Sequence, residues 1–580
     1  MLLFQKNQLL FLYMWLRIIG FIGLFCAFNN AWAVSENLQN NQDYQNNAQF
    51  RQDVVDFVHD TAFQLPLESN INRWFYNSND MSKHLIHWKV TIKIYQKGEC
   101  IGKGKGSDYA LSETLKGALL NAMHTVKKPI IISHDAQFKI TFYYPPDEHR
   151  YIVINDVNNK NQAFELIGSI IPVYDMDIAL LKNRIQMEKN YLLRMIDPIT
   201  HAIFKKYDAK NDQRDTIVRT IYTASSLYTL LMIDKKSPDR AIDAQIKPMA
   251  KFLLMMQNKA GKDAGAFYYS YDLNTQQKDA HYGSGRFVVG TAAKTIFTLL
   301  LLYEKTQDIQ YLEAAKRAGN WLLTKSNAHG QVMPVSVHAQ GKIILNKKQS
   351  FLYSGQVLSA LSRLYAVTHE KIYYVEATKI ADRMVHYIQQ KGAFVGDDFR
   401  QPNSVSTSWV VMSLLDYAKI NHEQRVYQKV LFRSADALVQ KQIHAPWDAY
   451  NDGRLMDIMT SSGNGWVNEV MTNLYPFCQV NKRPHCDIYR DYTIASSRWL
   501  IQNVYGTANS FMLKNPKMAE GGAIRNYAES AVRTDAVCHG LNSLMGLLNI
   551  VDVTDNPNNQ MLRVLPEMPT GELMGLLQLG

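Results

Sequence analysis

Arg533, Asp535 and His539 are the residues of this 580-residue chain whose types and spacing are best suited to chemistry. Asp535 and His539 are four apart, so a helix would carry them on one face. A carboxylate, an imidazole and a guanidinium held together can move a proton and stabilise the anion left behind. The structural alternative is a buried Asp–His hydrogen bond that only locks the segment in place. Glu469 follows the run Gly463-Asn-Gly-Trp466-Val-Asn468, Asp448 follows Trp447, and Tyr282 adds a phenol. Two mechanisms fit these residues. Glycosidic hydrolysis needs one protonated and one ionised carboxyl flanking the scissile bond, and Asp448, Glu469 and Asp535 are the candidates. Epimerisation or β-elimination at a uronate needs a base for the C5 proton, a group on the opposite face, and a cation for the enolate. Tyr282, His539 and Arg533 are the candidates there.

The binding residues expected around them are Arg214, Arg286, Trp409, Trp447, Trp466, Arg525 and Arg533. Flat rings stack on pyranose faces, and arginine grips a carboxylate in a bidentate fork. Each candidate also has a structural reading. Asp397-Asp398 suits a solvated turn, Trp447 beside Pro446 a packed loop anchor, and Glu469 a helix cap. Gly521-Gly522 suits a tight turn that brings Glu520 and Arg525 to the mouth as a pair. There is no HExxH, GxSxG or thiol-centred pattern, and Cys538 points away from its neighbour His539 on a helix. Nothing calls for a metal or a cofactor.

These residues need a frame. From Asp177 to Val551 the pattern reads as twelve helices, the first near 177–198 and the last near 533–551, with connections that alternate long and short. Short turns force antiparallel neighbours, so every long loop falls on one face. A repeat supports this. Leu302-Tyr303-Glu-Lys-Thr306 with Tyr311-Leu-Glu-Ala-Ala315 recurs as Leu364-Tyr365-Ala-Val-Thr368 with Tyr374-Val-Glu-Ala377. Even-numbered helices carry small residues (Gly290-Thr-Ala-Ala293, Ser354-Gly-Gln356, Gly540-Leu-Asn-Ser543), as an inner layer would. Odd-numbered ones are amphipathic, as an outer layer would be. Six inside six is an (α/α)6 toroid.

The Leu-Tyr-x-x-Thr and Tyr-x-Glu-Ala-Ala signature in this layout resembles the six-hairpin glycosidase superfamily over roughly 177–551. The resemblance implies a carbohydrate-active enzyme among glycoside hydrolases, sugar epimerases or polysaccharide lyases. Arg533-Thr-Asp535-Ala-Val-Cys-His539-Gly-Leu-Asn542 is also similar to the C-terminal segment of glucuronyl C5-epimerases.

The rest of the chain sets the context. Residues 1–33 read as a signal peptide ending at Ala31-Trp32-Ala33, or as a membrane anchor if uncleaved. Removing Lys6 and Arg17 takes the formal charge from +11 to +9, which suits an exported protein meeting an anionic glycan. A periplasmic or secreted location follows, with membrane contact only through an uncleaved leader. No basic run argues for nucleic acid. Residues 34–52 read as a linker, 53–176 as a small α+β domain, 177–555 as the toroid and 556–580 as a tail. Gly102-Lys-Gly-Lys-Gly106 suits a strand-to-helix turn or, less naturally, a phosphate cradle. Cys478 and Cys486 flank a short turn and are placed to bridge. The alternative to an enzyme is a non-catalytic glycan-binding or envelope scaffold.

Overall fold

A computed structural model describes residues 54, 57–58, 60–63, 88–97, 99–108, 111–127, 130, 132–133, 136–143, 163–165, 173, 176–279, 285–339, 342–346, 348–421, 425–444, 452–510, 513–526, 529–552 and 561–562. The leader 1–33 and the linker 34–52 lie outside them. The chain divides into two compact units. One comprises Met1–Ile92, Gly104–His124 and Thr141–Ala163, and the other Lys93–Lys103, Thr125–Ile140 and Phe164–Gly580.

The N-terminal elements are β1 (Trp88–Gln96), β2 (Glu99–Asp108), α1 (Leu111–His124), β3 (Gln137–Tyr143) and β4 (Ala163–Glu165). Val90, Ile92 and Ile94 alternate inward on β1, as period-two patterning requires. The glycine-rich run is not a turn or a cradle but part of β2. A Cβ on Gly104 would lie 2.1 Å from the Ala122 amide, and one on Gly106 2.0 Å from the Thr114 carbonyl. Those glycines let the strand lie directly against α1.

The helical part of the chain begins with β5 (Met176–Asp177) and α2 (Ile178–Arg194). Then come β6 (Lys206–Asp208), β7 (Gln213–Arg214), β8 (Ile217–Arg219), α3 (Thr220–Lys236) and α4 (Arg240–Met256). The next hairpin holds β9 (Ser270–Asp272), β10 (Gln277–Lys278), β11 (Arg286–Val288), α5 (Val289–Thr306) and α6 (Ile309–Leu323). It is followed by β12 (Val335–Ala339), β13 (Lys342–Asn346), α7 (Phe351–Thr368), α8 (Lys371–Lys391), α9 (Ser404–Ala418) and α10 (Arg425–Val439). The chain closes with α11 (Ser461–Val480), α12 (Asp487–Gln502), the short α13 (Thr507–Ser510) and α14 (Pro516–Ala519), β14 (Ile524–Asn526), β15 (Glu529–Arg533), α15 (Thr534–Asp552) and β16 (Met561–Leu562).

Six of these helices form a closed inner ring: α3 packs on α5, α5 on α7, α7 on α9, α9 on α11, α11 on α15, and α15 back on α3. Helices α2, α4, α6, α8, α10 and α12 pack behind them, giving the expected (α/α)6 toroid. The two layers differ in sequence for a physical reason. Inner α9 is buried along its whole length except Val405. Outer α10 buries the stripe Tyr427, Val430, Leu431, Ser434, Ala435 and Leu438, with Phe432 beside it, close to the spacing of a single helical face. Close inner packing needs missing side chains. A Cβ on Gly465 would stand 3.0 Å from the Gly540 amide, joining α11 to α15.

Every outer-to-inner connection is long and every inner-to-outer one short, so the six inner N-termini share one face. Small antiparallel sheets knit the long loops together there. Strand order β14-β15-β6-β7 joins the last loop to the first, β10-β9-β8 the first to the second, and β11-β12-β13 the second to the third. The registers Val532↔Tyr207, Val218↔Tyr271 and Phe287↔Ser336 fix them. On the opposite face Cys478 and Cys486 are bonded across the α11–α12 turn. Among the described residues no helix is long and apolar enough to cross a membrane.

Candidate active site

The inner helices run down from the mouth of the ring, so a residue's distance from its helix start gives its depth at 1.5 Å per residue. Lys294, Trp409, Trp466 and His539 each stand five residues into α5, α9, α11 and α15. They form one layer about 7–8 Å below the mouth. Tyr228, Phe297, Glu469 and Asn542 are each eight residues in, a second layer at about 12 Å. Arg363 and Asp416, each twelve residues in, form a third at about 18 Å. These side chains converge on the ring axis, yet they are not sealed. The His539 side chain keeps 16% exposure and Arg363 22%. The ring therefore encloses a polar hollow rather than a hydrocarbon plug.

The centre of that hollow is a histidine–carboxylate pair. His539 Nδ1 lies 2.6 Å from Glu469 Oε2, and Asn542 Nδ2 donates to Glu469 Oε1 at 3.0 Å. Burial works to raise the Glu469 pKa, but the His539 bond, the charges of His539 and Lys294 and the Asn542 bond outweigh it and hold it below the usual carboxylate value. An ionised carboxylate only accepts, so Nδ1 of His539 carries a proton toward Glu469, and Nε2 is the ring nitrogen not held by that bond. Trp466 stands edge-on to the imidazole at 5.2 Å and donates its indole N–H to Ser408 Oγ at 2.9 Å, which fixes both rings.

A cation completes the layer. Lys294 Nζ sits 4.7 Å from the Trp466 ring centre, 5.2 Å from Trp409 and 5.4 Å from Phe297. Burial pulls its pKa down, while Glu469 and the ring faces favour its charge. Deeper, Arg363 donates to Asp416 at 2.9 Å and to the Tyr228 hydroxyl, and lies 4.1 Å from the Phe297 centroid. This closes the floor of the hollow.

At the mouth, Arg533 grips Asp535 with both arms, Nε to Oδ1 at 2.9 Å and Nη2 to Oδ2 at 2.6 Å, and reaches Tyr222 Oη at 3.0 Å. Burial and the Asp535 charge push the Tyr222 phenol up to about 12. Arg219 and Arg286 lie 4.9 and 4.8 Å from the centre of the same ring, Tyr269. Buried Asp279 organises this group. It accepts from the amides of Ser270, Tyr269 and Arg286 at 2.6, 3.3 and 2.8 Å.

The expected residues thus divide. Glu469, His539, Trp409 and Trp466 share the hollow, with Arg533, Asp535 and Arg286 at its mouth. Asp535 and His539 share a helix face but not a bond. Glu469 is not a helix cap, since it lies two turns inside α11. Trp409 and Trp466 are 3% and 4% exposed and stack on each other at 4.2 Å, leaving little open ring face. Arg214 is set apart, with Nη2 on Met518 Sδ at 3.2 Å and its guanidinium 5.1 Å from the Phe204 ring. Arg525 stands on β14, whose Ile524 carbonyl accepts from Ser461 at the start of α11. The backbone carbonyl of Glu520 accepts from Arg194. Tyr282, Trp447 and Asp448 lie outside the described residues. Burial drives the Cys538 thiol up to about 12, so it is no nucleophile. Sequence reading missed Lys294, Tyr228, Arg363 and Asp416. The available signal was a lone charge in an otherwise apolar inner helix, as in Ala292-Ala-Lys294-Thr-Ile-Phe297.

No protein-family model and no curated protein sequence matches the chain. Several solved structures are similar to part of the chain. Cellobiose 2-epimerase from Bacillus thermoamylovorans B4167 is 12% identical, covering 63% of this chain and 98% of its own, with a TM-score of 0.49. A family 76 α-mannanase from Bacteroides thetaiotaomicron is 12% identical, covering 65% and 97%, at 0.48. An unsaturated glucuronyl hydrolase specific for heparin is 12% identical, covering 64% and 98%, at 0.43. Identities this low say nothing of substrate or reaction.

Proposed function

We propose that this protein is a carbohydrate-active enzyme that removes and returns a proton at a carbon of a bound sugar, with His539 as the base. The observation that carries this reading is the Glu469–His539 pair at the centre of an open, polar hollow. Its geometry favours proton transfer over hydrolysis. Hydrolysis by two carboxyls needs one that can hold and release a proton. Among the described residues, the carboxylates of the hollow and its mouth are committed as acceptors: Glu469 to His539 and Asn542, Asp535 to Arg533, Asp416 to Arg363. Glu469 is a positioning residue that sets the tautomer of His539.

The remaining parts suit an acidic sugar. Six helix N-termini point their partial positive charge at the mouth, beside Arg219, Arg286 and Arg533. A uronate carboxylate held there places its α-carbon, C5, toward the layer of His539. Nε2 takes the C5 proton, and the electron pair moves onto the carboxylate as an enolate. Lys294 stabilises that charge from the ring wall. Return of a proton to the opposite face of C5 gives epimerisation, whereas loss of the group at C4 gives elimination. We also assign the protein to an oxidising, exported compartment, which the leader-like N-terminus and the Cys478–Cys486 bond support.

The test is incubation with uronate-containing oligosaccharides in deuterated water. Deuterium at C5 without cleavage marks an epimerase, and an unsaturated product marks a lyase. New reducing ends with no exchange would overturn the assignment to His539. No reaction, with binding that survives Glu469→Gln, would make the protein a glycan-binding scaffold.

A further inference from the structure

Beside the mouth, a separate cavity of about 280 Å³ opens between α7, α8 and the α8–α9 loop. Its floor is the stripe of α8 at Ile380, Met384 and Tyr387, closed by Phe351, whose ring meets Tyr387 edge-on at 4.8 Å. Arg383 belongs to the same stripe, where packing alone would ask for a hydrocarbon. Arg400 faces it from the loop. Both guanidinium groups are exposed and neither has an ion-pair partner among the described residues.

The acidic residues of the cavity are already used. Asp397 accepts from Ser350 Oγ at 3.0 Å, from the Phe351 amide at 3.1 Å and from the Phe399 amide at 3.0 Å. Asp398 accepts from the Gln349 amide at 2.7 Å. These bonds cap α7 and pin the loop, so the carboxylates shape the wall while the two arginines are left for a ligand. Backbone segments pack closely around the walls. A Cβ on Gly330 would lie 2.4 Å from the Lys379 carbonyl, and one on Gly396 2.5 Å from the Pro402 nitrogen.

The cavity is also continuous in its electrostatics with the mouth. Tyr353, two residues into α7, feels Tyr269 and Arg286 of the mouth and Arg400 and Asp397 of the cavity. An aromatic floor with uncommitted guanidinium arms is the chemistry that recognises a pyranose bearing a carboxylate or sulfate. We propose that this cavity is a second sugar subsite, which takes an acidic unit of the same chain whose reacting unit enters the ring. The protein would then prefer oligomers to single sugars. This rests on the glycan reading above.

The experiment measures binding calorimetrically with four probes: galacturonate, tetragalacturonate, a hyaluronan tetrasaccharide and neutral cellotetraose. An acidic tetramer is expected to bind at least about tenfold tighter than the monomer, and cellotetraose far more weakly. Arg383→Ala combined with Arg400→Ala should erase about tenfold of the acidic tetramer's affinity and leave the monomer's unchanged. Both arginines are exposed, so the variant folds, and Tyr387→Ala gives an independent second reading. A tetramer that binds the double variant as well as the parent overturns the subsite. So does cellotetraose matching the acidic tetramers. If monomer binding is lost in Trp466→Ala while tetramers gain nothing over monomers, the subsite fails and the glycan reading stands. If no probe binds the parent, both fall.

Discussion

Replacing Glu469 by glutamine tests the proposed chemistry most directly, because it changes charge without changing shape. Asn542 still donates to the amide oxygen where it donated to Oε1 at 3.0 Å. The new NH2 then faces His539 Nδ1, 2.6 Å from the former oxygen. Two donors cannot share that line, so Nδ1 gives up its proton and Nε2 takes it. The nitrogen facing the hollow becomes a donor and the base is lost. Wrong-tautomer substitutions of this kind cost up to about 10⁴-fold in kcat, or roughly 5.5 kcal/mol of barrier. There is one escape. Among the described residues the buried Asn542 Oδ1 has no partner, so Asn542 can turn over, accept from the glutamine and let the amide oxygen face Nδ1. The tautomer is then restored without its charge, and the loss falls to about 10²-fold. Stability changes far less, since two charge-assisted hydrogen bonds become neutral ones at about 1–2 kcal/mol in total. The assay is deuterium incorporation at C5, with thermal melts confirming the fold. A folded Glu469→Gln protein within tenfold of the parent rate would refute the role given to the pair.

The remaining expectations follow from the same geometry. Glu469 is held below its ordinary pKa of 4.5, so the stability its charge contributes is whole above that pH and is lost as pH falls through the lowered value. The melting-temperature gap between parent and Glu469→Gln should therefore close as the pH is lowered through and below 4.5, and a gap that stays constant would contradict the assignment. Gly465→Ala places a methyl 3.0 Å from the Gly540 amide and 3.2 Å from the His539 carbonyl carbon. It should cost about 1–3 kcal/mol by overpacking and slow C5 exchange about tenfold by displacing His539. Cys478→Ser opens a short loop and should lower stability by about 2.5 kcal/mol in denaturant titrations, with exchange rates unchanged. Asp279→Ala strips the acceptor from three amides at Tyr269, Ser270 and Arg286. It should cost about 3 kcal/mol and raise KM more than it lowers kcat, because those bonds aim the mouth rather than the base.

The order of the helices, their two layers and the face that carries the long loops were written in the sequence. Periodicity and turn length are local properties, and α8 lies at Lys371–Lys391, as its pattern in the chain predicts. The same local rule put Asp535 and His539 on one face of α15. It could not choose their partners. Asp535 is taken by Arg533 two residues away, while His539 is taken by Glu469 from a helix 70 residues distant in sequence. That pairing exists only once α11 and α15 close together across Gly465 and Gly540. Loop carboxylates show the same limit. Asp397, whose sequence suits a solvated turn, and Asp457 cap the starts of α7 and α9, where inner helices present unsatisfied amides. Lys294, Arg363 and Asp416 look like ordinary surface charges until the ring turns their faces inward. Local patterning determines which residues form helices and which side of each is apolar. Closure of six hairpins into a ring decides which polar side chains meet at the axis, because that depends on distances between segments far apart along the chain.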